Sequence, residues 1–204
     1  MGIMRRMETA AAVFGAYLLG SVSFAILVSC LFALPDPRSY GSGNPGATNV
    51  LRTGKKLAAA LTLAGDAGKG WLAVWLAGLY AAGAAPLAGL AVFLGHLFPV
   101  FHRFRGGKGV ATAAGVVFAF DWRLGLGAAG TWLIIAVFFR YASLASIVAA
   151  VFAGIFAFFP WFGLGTAAAV PAIIALLLIW RHRDNLARLA RGEEKRIGEK
   201  APAS

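Results

Sequence analysis

Long apolar runs separated by short polar clusters dominate the chain, and the runs have the length of helices rather than strands. A helix that crosses a bilayer needs about 20 mainly apolar residues. Six segments stand out, at 9–33, 57–80, 86–101, 124–139, 142–160 and 163–180, each closed by Pro, Gly or a cluster of charge. A seventh, 108–121, is apolar and rich in small residues but short, and its length fits a half-length or re-entrant helix as well as a tilted span. Arg5 and Arg6 precede a run too long for the core of a cleavable signal, so 9–33 is read as the first span. The pattern predicts an all-α, polytopic integral membrane protein. Residues 1–204 form one membrane domain of about seven transmembrane helices, and 181–204 form a basic tail. Gly125, Gly127 and Gly130 are expected to allow close helix contact.

Composition sharpens this reading. Hydrophobic residues make up 60% of the chain and charged ones 13%, with a mean hydropathy of +0.77, which excludes a water-soluble single domain. Yet 19 Lys and Arg face only 8 Asp and Glu, so a net charge of +11 must sit where the apolar runs are interrupted. With seven crossings, the connections 34–56, 102–107 and 140–141 and the tail fall on one side. Together with Lys108 they hold 15 of the 19 basic residues; Arg5, Arg6 and Arg123 fall on the other side and Lys69 inside a span. The positive-inside tendency makes that face cytoplasmic, with the N-terminus outside and the C-terminus cytoplasmic. If 108–121 did not cross, the last basic segments would change sides, so the charge balance favours seven crossings. Nucleic acid would explain the charge but not the apolar runs. A single cysteine, Cys30, leaves no disulfide framework or Cys-based zinc site and is read as a buried small hydrophobe.

Two loops on the basic side have the composition of anion cradles. In Gly41-Ser42-Gly43-Asn44-Pro45-Gly46-Ala47-Thr48-Asn49, glycines let backbone N–H groups converge, Ser, Thr and Asn add donors, and Arg52 can pair bidentately with phosphate. A turn-rich linker uses the same residues. In the second, Gly106-Gly107-Lys108-Gly109 opens a helix, whose free N–H groups and positive dipole end lie beside the Lys108 charge. Thr112 is too far along for a nucleotide P-loop. The plain alternative makes Lys108, Arg103 and Arg105 snorkelling anchors at the headgroups.

Three further pairs lie three residues apart, on one helical face each. Ser143 and Ser146 follow Arg140; they either line a site or bond their own backbone. His182 and Asn185 stand at the inner end of the last span, where His182 is either a structural hydrogen-bonder or a phosphate donor. Asp66 and Lys69 lie inside a span, where an unpaired charge costs at least about 2.5–3.5 kcal/mol. There is no Gly-x-Ser-x-Gly elbow, no His followed five residues on by Asp, and no acidic cluster suited to a metal. An enzyme built this way works mainly by orientation and charge stabilisation. A transporter of anionic solutes would need polar residues through several spans and an internal repeat, which the sequence does not show. A lipid-binding scaffold would not require the particular placement of glycines.

At these residues the chain resembles the PlsY family of bacterial acyl-phosphate:glycerol-3-phosphate acyltransferases. The resemblance is carried by Gly41–Asn49 with Arg52, by Gly95–Thr112, by Arg140-Tyr141 with Ser143 and Ser146, and by Arg181-His182-Arg183 with Asn185, Arg188, Gly192 and Glu193. Asp66 and Lys69-Gly70 also match the family's second-span pattern. Ser23 stands where members commonly have Pro, and Pro37 replaces a usual aliphatic residue. The resemblance implies a seven-span fold and transfer of a fatty acyl group from acyl phosphate to glycerol 3-phosphate. It further implies lysophosphatidic acid as product, in the first membrane step of phospholipid biosynthesis, with neither acyl-CoA nor acyl carrier protein expected as donor and no cofactor or metal expected. Ser42, Arg52 and Lys108 would hold glycerol phosphate. Asn44, Thr48, Asn49, Ser143, His182 and Asn185 would hold the donor's phosphate or line the site, with Gly43, Gly46, Gly106, Gly107, Gly109 and Ser146 beside them. Lys108, His182, Asn185 and Ser143 are the expected catalytic set. The implied setting is the bacterial inner membrane with the site facing the cytoplasm, membrane lipid around it and a soluble acyl-phosphate-forming enzyme as supplier.

Overall fold

The computed structural model describes residues 2–81 and 83–199, and Lys200, counted above with the basic tail, lies outside the described residues. Helices are α1 (Gly2–Ser21), α2 (Phe24–Leu31), α3 (Ala47–Val50), α4 (Lys56–Tyr80), α5 (Ala85–Leu97), α6 (Val110–Phe120), α7 (Trp122–Phe139), α8 (Ala142–Phe156), α9 (Ala169–Arg181) and α10 (Arg183–Ala190). No strand occurs among the described residues, so the all-α expectation holds.

The apolar runs are not seven uniform rods. Among the described residues, Ala85–His102 and Trp122–Phe139 are long and apolar enough to cross a membrane singly. Two bent pairs qualify when each is taken as one span: Ile3–Ser21 with Phe24–Leu31, bent by 43°, and Gly165–Arg181 with Arg183–Ala190, bent by 58°. The first bend falls inside the run 9–33, where Ser23 caps α2 by accepting from the Ile26 N–H. α4 has 25 residues and carries Asp66 and Lys69, while α6 and α8 are shorter apolar helices.

Small residues let these helices pack backbone to backbone. A Cβ at Gly20 would lie 2.1 Å from the Val92 carbonyl oxygen, and one at Gly95 2.2 Å from that of Tyr17, so α1 and α5 touch directly. Gly70 and Gly115 bring α4 and α6 together in the same way, 2.3 Å from Thr112 O and 1.9 Å from Ala67 O. Gly125 and Gly127 instead receive the rings of Phe118 and Phe152, while Gly130 meets nothing and faces open space. The core is mostly alanine around Phe93, Leu97, Val116 and Leu178, whereas Trp75, Leu133, Phe138 and Leu176 point outward. That inverted distribution suits a lipid surround. Cys30 belongs to the outer group: α2 buries Ala25, Val28 and Ser29, and the thiol lies exposed on the opposite face, not in the core.

The connections on the basic side meet at one end of the bundle. Ser42, Gly43, Asn44, Gly106, Lys108, Arg181, Arg183 and Asp184 border one cleft, Ser143 reaches Glu194, and Arg140 exchanges backbone and side-chain hydrogen bonds with Ile197. Arg123 is elsewhere, bonded to Asp121 and to the Trp161 carbonyl in the α8–α9 connection. α7, 18 residues or about 27 Å long, separates Arg123 from Arg140. The hairpins α4–α5, α6–α7 and α8–α9 thus leave this end and return to it, and the 11-residue α6 bridges the two ends in about 17 Å.

Candidate active site

The first glycine loop is organised by Asn49. Its buried side chain accepts from the Ser42 N–H (3.0 Å) through Oδ1 and donates through Nδ2 to the carbonyls of Pro37 (2.7 Å) and Tyr40 (3.2 Å). Gly41 has φ +60°, and a Cβ there would meet Asn49 Oδ1 at 2.3 Å, so only glycine passes. Asn49 therefore shapes the loop from within. Ser42, Gly43 and Asn44 border the cleft, Gly46 caps α3, and Thr48 is exposed with no side-chain bond. Arg52 runs behind Gly41, and its Nη1 is buried with no hydrogen-bond partner, a donor in want of an acceptor.

The second loop is gripped from two sides. The Gly107 N–H donates to the His96 carbonyl at 3.2 Å. From α9, the Arg181 guanidinium donates to the carbonyls of Gly106 (2.9 Å) and Gly107 (3.0 Å). With its carbonyls turned toward Arg181, the turn delivers Lys108 to the cleft, and Gly109, at φ +78°, starts α6. Lys108 lies ahead of the helix and donates its ammonium to Asn185 Oδ1. Burial pushes Lys108 down to about 8 against the opposing pull of Glu194, while Arg188 and Arg181 add to the downward push and Asp184 opposes it.

Asn185 passes the connection on. Its Nδ2 donates to Glu194 Oε1 (2.6 Å), which also accepts from Ser143 (2.8 Å), while Arg188 donates to Oε2 (2.8 Å). Burial raises the Glu194 carboxyl, but these three donors outweigh it and hold it below the usual range. His182 donates Nδ1–H to the Leu178 carbonyl (2.8 Å), because a carbonyl can only accept. Burial, with Lys108 nearby, pushes the ring down to about 4, so it is neutral near pH 7 and its Nε2 is an acceptor. Ser146 is engaged away from the cleft, donating to Ala142 O and accepting from the Trp132 indole.

The cleft has a volume of about 190 Å³, with Ser42, Gly43 and Asn44 on one side, Gly106 and Lys108 on another, and Arg181, Arg183 and Asp184 on the third. Three cations, the polar side chains of Ser42 and Asn44 and the single carboxylate of Asp184 make an anion site with room for small polar groups, while His182, expected in the site, is buried and does not line this cleft. A model of the family described as "Glycerol-3-phosphate acyltransferase" matches residues 10–192. The chain belongs to that family. A glycerol-3-phosphate acyltransferase of Cupriavidus taiwanensis is 65% identical over 197 residues, covering 91% of this chain and 94% of the relative. One from Burkholderia thailandensis is 61% identical over 199 residues, with 95% and 98% covered. The crystal structure of PlsY, an integral membrane glycerol 3-phosphate acyltransferase, in its glycerol 3-phosphate form shares 41% identity and a TM-score of 0.86 over 93% of this chain and 96% of that one. Its lysophosphatidic acid form shares 40% identity, with a TM-score of 0.82 and coverage of 93% and 95%.

In this family member, sequence reasoning passed over Glu194. The available signal was a turn: Gly192 (φ +72°) ends α10 and folds the chain back, placing an acid among basic residues. The glycine turn also yields a prediction. A Cβ on Gly107 would lie 2.4 Å from His96 Nε2 and 3.0 Å from Pro45 O, so Gly107→Ala must move the turn. Steady-state kinetics should show KM for the phosphate substrate raised about tenfold or more, since an ångström-scale displacement has effects up to about 10²-fold.

Proposed function

We propose that the protein transfers a fatty acyl group from acyl phosphate to glycerol 3-phosphate, forming lysophosphatidic acid and inorganic phosphate. The observation that carries this reading is the Lys108 ammonium, which shares one cleft with residues of both glycine turns and is tied through Asn185 to Glu194, a part-buried carboxylate already held by three donors. Such a cleft stabilises anions: Glu194 is spent on its three donors, and Asp184, the carboxylate on the cleft rim, stands exposed 3.8 Å from the Arg183 guanidinium. Acyl phosphate suits it because the leaving group is itself phosphate. The glycerol hydroxyl attacks the acyl carbonyl, the carbonyl carbon–oxygen bond to phosphate breaks, and the hydroxyl proton ends on a phosphate oxygen. Lys108, Arg52 and the Ser42–Asn44 loop hold phosphate, and His182 Nε2 accepts from the attacking hydroxyl and orients it. Relatives bearing the acyltransferase name and the glycerol 3-phosphate form of PlsY support the acceptor.

The same reading takes seven crossings, N-terminus outside, with the cleft facing the cytoplasm of a bacterial inner membrane. Its support is the meeting of the basic connections at one end of the bundle, which an odd number of crossings requires. The acyl chain lies among apolar helices open to the inner leaflet, and a soluble acyl-phosphate-forming enzyme supplies the donor. Purified protein given glycerol 3-phosphate with acyl phosphate, acyl-CoA or acyl carrier protein thioester should form lysophosphatidic acid from acyl phosphate alone, with EDTA present. Turnover with acyl-CoA alone would reject the donor.

A further inference from the structure

Beneath the Gly106–Gly107 turn lies a group of polar side chains, none of which lines the cleft. Asp66, Lys69, His96 and Thr112 are all buried, on α4, α5 and α6. The Lys69 ammonium lies 2.8 Å from Asp66 Oδ1 and donates to the Val22 carbonyl (2.6 Å) at the break between α1 and α2. Asp66 Oδ1 stands 3.6 Å from His96 Nδ1, and Thr112 Oγ1 stands 3.1 Å from the same nitrogen. Burying an ion pair is costly and gives little net stability. Alanine and leucine would fill this space more favourably, so the cluster calls for a role beyond packing.

That role is visible in what His96 touches. Its carbonyl accepts from the Gly107 N–H, and its ring lies so close under the turn that Gly107 has no room for a Cβ. Nδ1 is held by Thr112, with the Asp66 carboxylate 3.6 Å away, which leaves the Nε2 edge facing Gly107. A small cavity of about 10 Å³ separates Lys69, Ser21 and Val22 from His96, Gly106 and Gly107. The turn is clamped above by Arg181 and below by His96, and Lys108 follows it directly.

We propose that Asp66, Lys69, His96 and Thr112 form a positioning set that fixes the height of the Gly106–Gly107 turn and thereby the place of the Lys108 ammonium. Lys69 ties the set to the α1–α2 break, Asp66 holds Lys69 and His96 together, and Thr112 locks the ring. None of the four is a catalytic residue. The proposal rests on the acyltransferase reading for its kinetic consequence only; its geometric consequence for Lys108 stands apart.

The test uses full-length protein in detergent with Thr112→Val, which keeps the shape and removes the hydroxyl, and Asp66→Asn. Two quantities are read: KM and kcat for glycerol 3-phosphate, and the pH midpoint for labelling of Lys108 by an amine-reactive reagent, followed by peptide mass spectrometry. Loss of the lock should raise KM about tenfold with a smaller change in kcat. It should also move the Lys108 midpoint upward from about 8 as water reaches the ammonium. Thr112→Ser should restore both. The positioning role is overturned if folded Thr112→Val keeps the wild-type midpoint and KM, including when thermal stability alone falls. If Asp66→Asn does not fold, Thr112→Val decides. A wild-type protein inactive toward glycerol 3-phosphate would sink the acyltransferase reading, and the labelling midpoint would still decide the positioning one.

Discussion

Removing the Lys108 ammonium, as in Lys108→Ala, is expected to lower kcat/KM for glycerol 3-phosphate by about 10³-fold or more. Deleting a single donor to a developing anion costs about 10²–10³-fold, and Lys108 is a full charge in a largely buried position. It is also the link between the glycine turn and Asn185, so its loss removes both a charge and a tether. Lys108→Arg should not restore activity, because the larger planar guanidinium does not fit the place of a compact ammonium. The pH profile carries the sign of the effect. Below about 8 the side chain is an ammonium and binds phosphate; above it the amine is neutral, so kcat/KM should fall as pH rises through about 8. On the acid side, activity should fall as the substrate phosphate takes its second proton near about 6. Bound phosphate favours the charged lysine, so the alkaline limb of kcat should lie at higher pH than that of kcat/KM. An alkaline limb of kcat/KM at the ordinary lysine value would contradict the buried placement of Lys108.

Glu194→Ala is the second large effect, and it separates the support of the site from its chemistry. The carboxylate accepts from Ser143, Asn185 and Arg188, so its removal leaves three donors unsatisfied and Arg188 without its partner. Removing one partner of a buried ion pair costs about 3–5 kcal/mol, and the partial exposure of Arg188 puts this case at about 3 kcal/mol or less. Activity should fall by about 10²-fold as Asn185 and Lys108 lose their alignment. Glu194→Gln retains an acceptor and should keep more stability than Glu194→Ala. Both variants withdraw the negative charge that pulls Lys108 upward, so the alkaline limb should shift to lower pH. A limb that stays in place in the folded Gln variant would remove Glu194 from the Lys108 environment.

Much of the fold can be read from hydropathy where a run ends in a strong signal. Residues 57–80 correspond to α4 and 124–139 to α7, because Lys55, Lys56 and Gly83 bracket the first and Asp121 and Arg140 the second. Bends are another matter. The run 9–33 is apolar on both sides of Val22, and an apolar pattern carries no information about the 43° turn made there. α8 likewise ends at Phe156 inside an apolar stretch, since aromatic residues continue to satisfy lipid after the helix stops. At the site, glycine spacing and charge pointed to both loops, and the structure brings them to one cleft. It could not assign partners. Asn49 and Ser42 look alike as donors in sequence, yet Asn49 is spent on the loop's own backbone while Ser42 faces the cleft. Ser146 shares a helical face with Ser143, but Trp132 reaches only Ser146 and Glu194 only Ser143. Such choices depend on residues 14 and 51 positions away in the chain, beyond any local pattern.

The most direct measurement of the central claim is a single turnover with radiolabelled acyl phosphate and excess purified protein, with and without glycerol 3-phosphate. Direct transfer in the Lys108 cleft predicts no label on the protein in the absence of acceptor. With glycerol 3-phosphate, it predicts one lysophosphatidic acid and one inorganic phosphate for each acyl phosphate consumed. An acylated protein formed without acceptor, or phosphate released with no lysophosphatidic acid, would contradict it.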